Sequence, residues 1–322
     1  MQRDWHTIWR TNFTSVVSLL DFCDIQASQR AHILDTSPFP CSVPRRFAEK
    51  MEKGSITDPL FRQVVPFKEE INTEKRFTDD PLEEERFHLS PCLLQKYSGR
   101  ALLLTTGACC MNCRFCFRRH FPYSLVPPSN KEYDYLSKNE QIEEVILSGG
   151  DPLALPTDRL EELFFQLEKI PHIQRIRIHT RFPIGIPERI DEELLTLFAQ
   201  CKKQIVIAIH INHKNELDED IVAALKKLLE LHIPILSQTA LLRGVNDSTP
   251  VLKELMQALA NNGIIPYYLH QLDRVQGASH FEVPLSKGQE IIKELQRSLS
   301  GYMVPKYVQE IPGRESKELI TS

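Results

Sequence analysis

From about residue 99 onward, short apolar runs alternate with amphipathic helical patterns, and this alternation limits the folds open to the 322-residue chain. The runs that indicate strands cover residues 101–105, 144–148, 176–180, 205–211, 234–241 and 264–270. Between them lie segments with apolar residues at i, i+3, i+4 and i+7, such as Leu160, Leu163, Phe164 and Leu167. Six strand–helix units predict an α/β fold with a parallel sheet and right-handed crossovers. Because six units are too few to close an eight-stranded barrel, we expect a partial (β/α)6 barrel.

The remainder of the chain forms two further regions. Residues 1–95 have helical spacing of apolar residues interrupted by prolines, and they predict an N-terminal helical region without a recognisable catalytic signature. We assign the barrel to residues 96–300 and a separate C-terminal segment to residues 301–322.

Composition and charge argue against several classes of protein. Hydrophobic residues make up 42% of the chain and charged residues 25%, as in an ordinary globular protein. No apolar run approaches the ~18 residues of a membrane span, and the first residues lack a signal-peptide pattern. A net charge of −4 and a pI near 6.3 argue against nucleic acid as the main partner. We therefore expect a cytoplasmic protein whose eight cysteines are metal ligands or free thiols.

Polar and reactive residues follow the predicted strands. The carboxyl ends of parallel strands meet at one edge of a sheet, where α/β proteins place their functional groups. We expect one mouth of the barrel to collect a cysteine-rich segment after the first strand, Ser148 to Asp151 after the second, His179 to Arg181 at the third, His210 to His213 at the fourth, Gln238 in the fifth, and His270 to Asp273 at the sixth.

The cysteine-rich segment has metal-ligand spacing. Cys109, Cys113 and Cys116 stand in C-x3-C-x2-C order, which suits a [4Fe–4S] cluster with one iron left open to a small molecule. Read from Cys110, the spacing matches the first three cysteines of an electron-transfer ferredoxin, but His120 stands where the fourth cysteine would lie. A structural zinc site with Cys110 as fourth ligand is the alternative, but no second C-x2-C pair accompanies it. The spacing favours the open cluster and leaves Cys110 as a bystander.

These residues lie in a longer string that resembles the radical S-adenosylmethionine (SAM) enzymes and, within them, the lysine 2,3-aminomutase family. The resemblance spans about residues 95–317 and rests on Cys113-Arg-Phe-Cys116-Phe-Arg118-Arg119, Leu147-Ser-Gly-Gly-Asp-Pro152, Gln238-Thr-Ala-Leu-Leu-Arg-Gly-Val-Asn-Asp247, Gly301-Tyr-Met-Val-Pro305 and Pro312-Gly-Arg-Glu-Ser-Lys317. Residues 269–281 and the short C-terminus are similar to one branch, which makes (R)-β-lysine for translation elongation factor P.

The family resemblance implies two cofactors at the cysteine segment. Cys109, Cys113 and Cys116 would hold a [4Fe–4S] cluster, and SAM would chelate its fourth iron. A low-potential electron donor would reduce the cluster, which cleaves the sulfonium and generates a 5′-deoxyadenosyl radical. The resemblance also implies cofactor-binding roles for Ser148, Gly149, Gly150, Asp151, His210 and Gln238. The glycine pair has no Cβ and could let the backbone approach a ligand closely, although such a pair also suits a turn.

The resemblance further implies pyridoxal 5′-phosphate (PLP), with Lys317 as its Schiff-base lysine and Lys96, Tyr97 and Arg100 at its phosphate. The imine π-system would give a migrating nitrogen a three-membered radical intermediate. Taken without the resemblance, Lys317 is a solvated charge near a C-terminus and the other three residues are an ordinary basic surface. The family's glycine-rich stretch is reduced here to residues 313–316.

For the substrate, the resemblance implies L-lysine. The planar fork of Arg118 suits an α-carboxylate, and Asp273 and Glu310 would converge on the ε-ammonium. Glutamate replaces the family's usual aspartate at position 310, which lengthens one arm of the acid pair by a methylene.

The leading prediction is therefore a radical SAM, PLP-dependent isomerase that converts L-lysine to β-lysine, with a functional link to elongation factor P and its lysyl-transferring ligase. Two alternatives stay open. A radical SAM enzyme without PLP would make Lys317 and Arg118 incidental. A non-catalytic iron–sulfur or zinc protein would instead bind a translation partner.

Overall fold

One ten-stranded sheet organises residues 4–121 and 128–321, the part of the chain that the computed structural model describes. Its strands follow each other in space as they do in sequence: β1 (His88–Ser90), β2 (Leu93–Tyr97), β3 (Arg100–Thr106), β4 (Glu144–Gly149), β5 (Arg175–Thr180), β6 (Gln204–His210), β7 (Ile235–Ala240), β8 (Ile265–His270), β9 (Lys306–Gln309) and β10 (Glu318–Leu319). Strands β3 to β9 are parallel, and antiparallel pairs extend the sheet at both ends.

The helices are α1 (Trp5–Trp9), α2 (Val16–Phe22), α3 (Ala27–Arg30), α4 (Arg45–Glu49), α5 (Pro59–Val64), α6 (Asn130–Lys138), α7 (Thr157–Glu168), α8 (Phe182–Gly185), α9 (Glu192–Gln200), α10 (Glu219–Glu230), α11 (Thr249–Asn261) and α12 (Leu285–Ser298). Every connection between consecutive strands from β3 to β9 contains a helix, so the six predicted strand–helix units are confirmed. A seventh parallel strand, β9, follows the last of them. Its short K-Y-V-Q run has too few apolar residues to stand out in the sequence.

The parallel strands present two chemically different faces. Successive side chains of a strand point to opposite sides, and in β5 Ile176 and Ile178 are fully buried in the apolar core. Arg177 and His179, which alternate with them, line a cavity on the other side. The curved sheet thus wraps around a polar interior. Since β1 and β10 do not pair with each other within the described residues, the predicted partial barrel is confirmed.

The N-terminal region packs onto the barrel through α1 to α5. Leu19, Phe47 and Phe61 are fully buried and belong to the same apolar core as the strands. The end of this region differs from its helical pattern, because residues 88–97 form the β1–β2 hairpin at the edge of the sheet. In the described part of the chain, no helix combines the length and hydrophobicity that crossing a membrane requires.

Candidate active site

A cavity of about 610 Å³ lies inside the curve of the sheet. This volume falls within the range of about 300–1,000 Å³ that is usual for small-molecule sites. Every site residue predicted from the sequence lines it: Lys96, Tyr97, Arg100, Cys109, Cys113, Cys116, Arg118, Ser148, Gly149, Gly150, Asp151, His210, Gln238, Asp273, Glu310 and Lys317. The shared mouth that the strand-end argument predicted is therefore present in the structure.

The three cysteines lie on the loop that leaves β3. Burial raises the pKa of all three thiols, and that of Cys116 reaches about 11, so a metal's charge is needed to keep them ionised. Cys110 is 1% exposed and packs into the apolar core. Among the described residues, no three His, Cys, Asp or Glu side chains converge on a position for one metal ion. A [4Fe–4S] cluster makes a different demand, since each cysteine binds its own iron.

The glycine pair after β4 has a structural role that the sequence did not reveal. A Cβ on Gly149 would lie 2.5 Å from the carbonyl oxygen of Thr106, and one on Gly150 would lie 2.3 Å from that of Ala108. Gly149 also has a φ of +119°, which favours glycine. The pair therefore lets the end of β4 pack against the start of the cysteine loop. These contacts are with the protein's own backbone, whereas the sequence suggested only a close approach to a ligand or a turn.

Asp151 organises the end of β5. Its carboxylate accepts hydrogen bonds from the Thr180 hydroxyl at 2.7 Å and from the backbone N–H groups of Leu153, Arg181 and Phe182 at 3.0, 2.7 and 3.0 Å. Burial raises the pKa of Asp151 to about 6, although these donors oppose the shift. Because the protein's own donors occupy both carboxylate oxygens, we assign Asp151 a positioning role.

Three imidazoles line the cavity. His210 stacks on Phe115 at 5.5 Å between ring centroids. The Nε2 atoms of His179, His210 and His270 are buried and have no hydrogen-bond partner among the described residues. Burial lowers the pKa of each imidazole, that of His270 to about 3, so all three are neutral at physiological pH. The cavity thus contains polar groups that a ligand could satisfy.

Arg118 is fixed by a partner from the N-terminal region. Its Nε and Nη2 donate to the two carboxylate oxygens of Glu84 at 2.8 and 2.9 Å, and Nη1 donates to the Ser148 hydroxyl at 3.1 Å. Both side chains are 5% exposed. Burial opposes the charge of Glu84, but the guanidinium outweighs it and lowers the carboxyl pKa. Sequence analysis missed Glu84, because nothing local marks a glutamate that pairs with a residue 34 positions away.

Glu310 lies between two lysines. Its carboxylate accepts a hydrogen bond from Lys96 at 3.0 Å and contacts the ammonium of Lys317. Burial alone would raise the pKa of Glu310, but the two ammonium groups outweigh it and lower the pKa to about 2. The predicted acid pair is therefore unequal, since Glu310 already has cationic partners within the protein.

Asp273 is the other member of that pair and has the opposite shift. Burial, reinforced by the negative charge of Glu310, raises the pKa of Asp273 to about 7. A carboxyl in this state gains most from an incoming cation, because a bound ammonium removes the penalty on its charged form.

Tyr97 and Arg100 line the cavity together with Lys96. The Arg100 guanidinium stacks over the Tyr97 ring at 4.4 Å. Burial raises the pKa of Tyr97, which keeps its hydroxyl protonated and able to donate a hydrogen bond. The three side chains supply two cations and one hydroxyl, which are suitable donors for a phosphate.

Comparison with known proteins supports a specific family. The model of the radical SAM superfamily matches residues 103–256. L-lysine 2,3-aminomutase of Haemophilus influenzae is 43% identical and covers 99% of this chain and 96% of its own. The protein of the same name from Escherichia coli is 44% identical over 98% of this chain and 94% of its own. The chain belongs to the L-lysine 2,3-aminomutase family of radical SAM enzymes.

The fold agrees with this membership. The crystal structure of Streptococcus suis SuiB bound to S-adenosylmethionine covers 67% of this chain and 51% of its own, with a TM-score of 0.50 and 14% sequence identity. The family implies a [4Fe–4S] cluster and SAM. The cysteine loop fits a cluster, since its three thiols line one cavity and each can bind a separate iron.

Proposed function

We propose that this chain is an L-lysine 2,3-aminomutase that moves the α-amino group of L-lysine to C3 and releases β-lysine. One observation carries the proposal: a single cavity contains the cysteine loop, the ammonium of Lys317 and charged side chains of both signs. An amino acid with a carboxylate at one end and an ammonium at the other needs both signs. The names of the relatives support lysine as that amino acid.

Two different groups of residues in the lining of this cavity would hold the cofactors. Cys109, Cys113 and Cys116 would bind the [4Fe–4S] cluster, and Lys317 would bind PLP with its phosphate at Lys96, Tyr97 and Arg100. When bound, the cluster with SAM supplies radical chemistry, and PLP supplies a conjugated system through which nitrogen can migrate. The neutral imidazole of His210 and the amide of Gln238 are hydrogen-bonding groups for these ligands.

The substrate would be oriented by its two charged ends. Arg118 would bind the α-carboxylate through Nη1, in place of its present acceptors, the Ser148 hydroxyl and the Gly149 carbonyl. Glu84 would hold the guanidinium plane in place. Asp273 would bind the ε-ammonium and release its proton on doing so, since its pKa is about 7 in the free protein. Glu310 would offset part of the positive charge of Lys96 and Lys317, which leaves Asp273 as the main partner of the ammonium.

We further propose that the product serves elongation factor P. The support is the sequence of residues 269–281, which is similar to the branch that makes (R)-β-lysine and which contributes His270 and Asp273 to the cavity. Product from this enzyme, supplied to elongation factor P and its lysyl-transferring ligase, should yield a β-lysyl adduct by mass spectrometry. If the ligase ignored the product and used only α-lysine, the link would be wrong.

The activity is tested with protein reconstituted anaerobically with iron and sulfide and supplied with SAM, PLP, dithionite and L-lysine. The expected result is β-lysine. Lys317→Ala should retain iron and SAM cleavage but lose the visible absorbance of bound PLP and the product. Cys113→Ala should lose iron as well, whereas the matched Cys110→Ala should retain its iron. No β-lysine from wild-type protein carrying both cofactors would refute the proposal.

A further inference from the structure

Arg181, at the end of β5, contacts a cysteine of the metal-binding loop. Its Nη1 is within hydrogen-bonding reach of the Sγ atom of Cys113. Its Nη2 donates to Gln63 at 2.7 Å and to Glu216 at 3.0 Å. The arginine is 7% exposed and Glu216 is fully buried. Arg181, which lines the cavity, therefore belongs to a buried ion pair and also reaches a sulfur atom.

The surroundings of Arg181 hold it in this position. Asp151 accepts its backbone N–H at 2.7 Å, and the rings of Phe47 and Phe115 lie 5.6 and 5.7 Å from the guanidinium carbon. Glu216 is fixed in turn by the backbone N–H groups of residues 212 and 213, at 2.9 and 3.0 Å. Moving the arginine away would leave a buried carboxylate without its cation, which is strongly unfavourable.

A second arginine near the loop, Arg114, has different partners. Arg114, next to Cys113 in sequence, directs its guanidinium to Glu70, Ser37 and the carbonyl of Phe39. Its hydrogen bonds hold the N-terminal region to the loop. Arg181 instead lies directly after β5, outside the cysteine loop, and donates to the sulfur.

We propose that Arg181 is a positioning residue that donates a hydrogen bond to the cluster-bound sulfur of Cys113 and so raises the cluster's reduction potential. The inference rests on the cluster assigned under the proposed function. Reduction transfers one electron from a low-potential donor to the cluster, with no proton and no bond broken. The reduced cluster carries one more negative charge, so a cationic N–H donor at its sulfur stabilises it more than the oxidised form.

The test is a redox titration of the cluster followed by electron paramagnetic resonance, without SAM, PLP or lysine. The double variant Arg181→Gln/Glu216→Gln removes both charges of the pair and so preserves the net charge. At the midpoint potential of the wild type, the ratio of reduced to oxidised cluster should fall about tenfold, which corresponds to about 59 mV for one electron. An unchanged midpoint in a variant with full iron and sulfide content would overturn the proposal.

A matched control separates this effect from general disruption of the segment after β5. Arg189 is also fully buried, donates to the carbonyl of Leu153 and pairs with Asp191 at 3.7 Å. Arg189→Gln/Asp191→Asn should retain the wild-type midpoint, because this pair makes no contact with a cysteine sulfur. A shift of equal size in this control would overturn the specific role of Arg181.

A second measurement uses wild-type protein and does not depend on a variant's folding. Protein labelled with ¹⁵N only in arginine guanidinium groups is reduced, and electron spin echo modulation is recorded. A nitrogen hydrogen-bonded to a cluster ligand should give a ¹⁵N coupling, and its absence would overturn the proposal. Neither measurement needs lysine or PLP, so both are decisive whether or not the protein forms β-lysine.

Discussion

Two carboxyl groups in the cavity, those of Asp273 and Glu310, have pKa values shifted in opposite directions. Glu310 contacts two ammonium groups, and its pKa is about 2 despite burial. Asp273 is raised by burial and by the charge of Glu310 to about 7. At neutral pH one carboxyl is therefore fully ionised and the other is partly protonated. This difference supports the proposal that Asp273, rather than Glu310, binds the incoming ammonium.

The pKa of Asp273 predicts how lysine binding depends on pH. Only the ionised carboxylate attracts an ammonium, so lysine affinity should rise as pH increases from about 6 to about 8. Near pH 6, where Asp273 is mostly protonated, lysine binding should release a proton from this carboxyl. Calorimetry in buffers of different ionisation enthalpy measures both quantities. Asp273→Asn should weaken binding by about 2–5 kcal/mol and abolish this pH dependence. A variant with the same pH dependence as the wild type would contradict the assignment.

The buried pair of Arg118 and Glu84 predicts a strong dependence of stability on the presence of both residues. Arg118→Ala leaves Glu84 buried without its bidentate partner and should cost about 3–5 kcal/mol of unfolding free energy in urea titrations. The double variant Arg118→Ala/Glu84→Ala should recover part of that loss, because no buried charge remains unpaired. Strictly additive single-variant effects would show that the pair does not couple.

At the scale of elements, the cysteine loop depends on the N-terminal region. Glu70 accepts hydrogen bonds from Arg114 at 2.8 and 2.5 Å and from Arg119 at 2.6 Å, and its side chain is 3% exposed. In the same loop, the backbone N–H of Arg114 donates to the carbonyl of Gln63 at 2.8 Å. The N-terminal region thus stabilises the loop through these hydrogen bonds.

The hydrogen bonds of Glu70 predict that Glu70→Gln should make the cysteine loop more mobile. Losing the negative charge leaves two arginines close together without a counter-charge, so loop amides should exchange hydrogen faster and iron retention should fall. Hydrogen–deuterium exchange with mass spectrometry and iron analysis measure these effects. The exposed neighbour substitution Glu69→Gln provides the control and should behave as wild type. Equal exchange rates in both variants would show that Glu70 does not hold the loop.

The features that were predicted correctly depend on local sequence patterns. Helical and strand periodicity predicted the six strand–helix units, and chain direction predicted that their polar ends would meet. Contacts between distant residues left no local signal. Glu84 lies 34 positions before Arg118, and Gln63 lies 118 positions before Arg181. Strand β9 was missed for a related reason, since its place in the sheet comes from pairing with β8.

At the scale of the whole molecule, the curvature of the sheet gathers three otherwise separate regions. The N-terminal region contributes Glu84, the barrel contributes the cysteine loop and Asp273, and the C-terminal segment contributes Glu310 and Lys317. Lys96 and Glu310, paired at 3.0 Å, are 214 positions apart. The cavity thus depends on the complete fold, and the proposed function places the cluster, lysine and PLP together within it.

The most direct test follows the substrate nitrogen. Reconstituted protein is given SAM, PLP, dithionite and L-lysine carrying ¹⁵N at the 2-amino group and ¹³C at C2 and C3, and the products are examined by nuclear magnetic resonance. The proposed migration of the amino group predicts β-lysine in which the ¹⁵N is bonded to ¹³C3. Protein that carries both cofactors and cleaves SAM, yet leaves the ¹⁵N on C2, would contradict it.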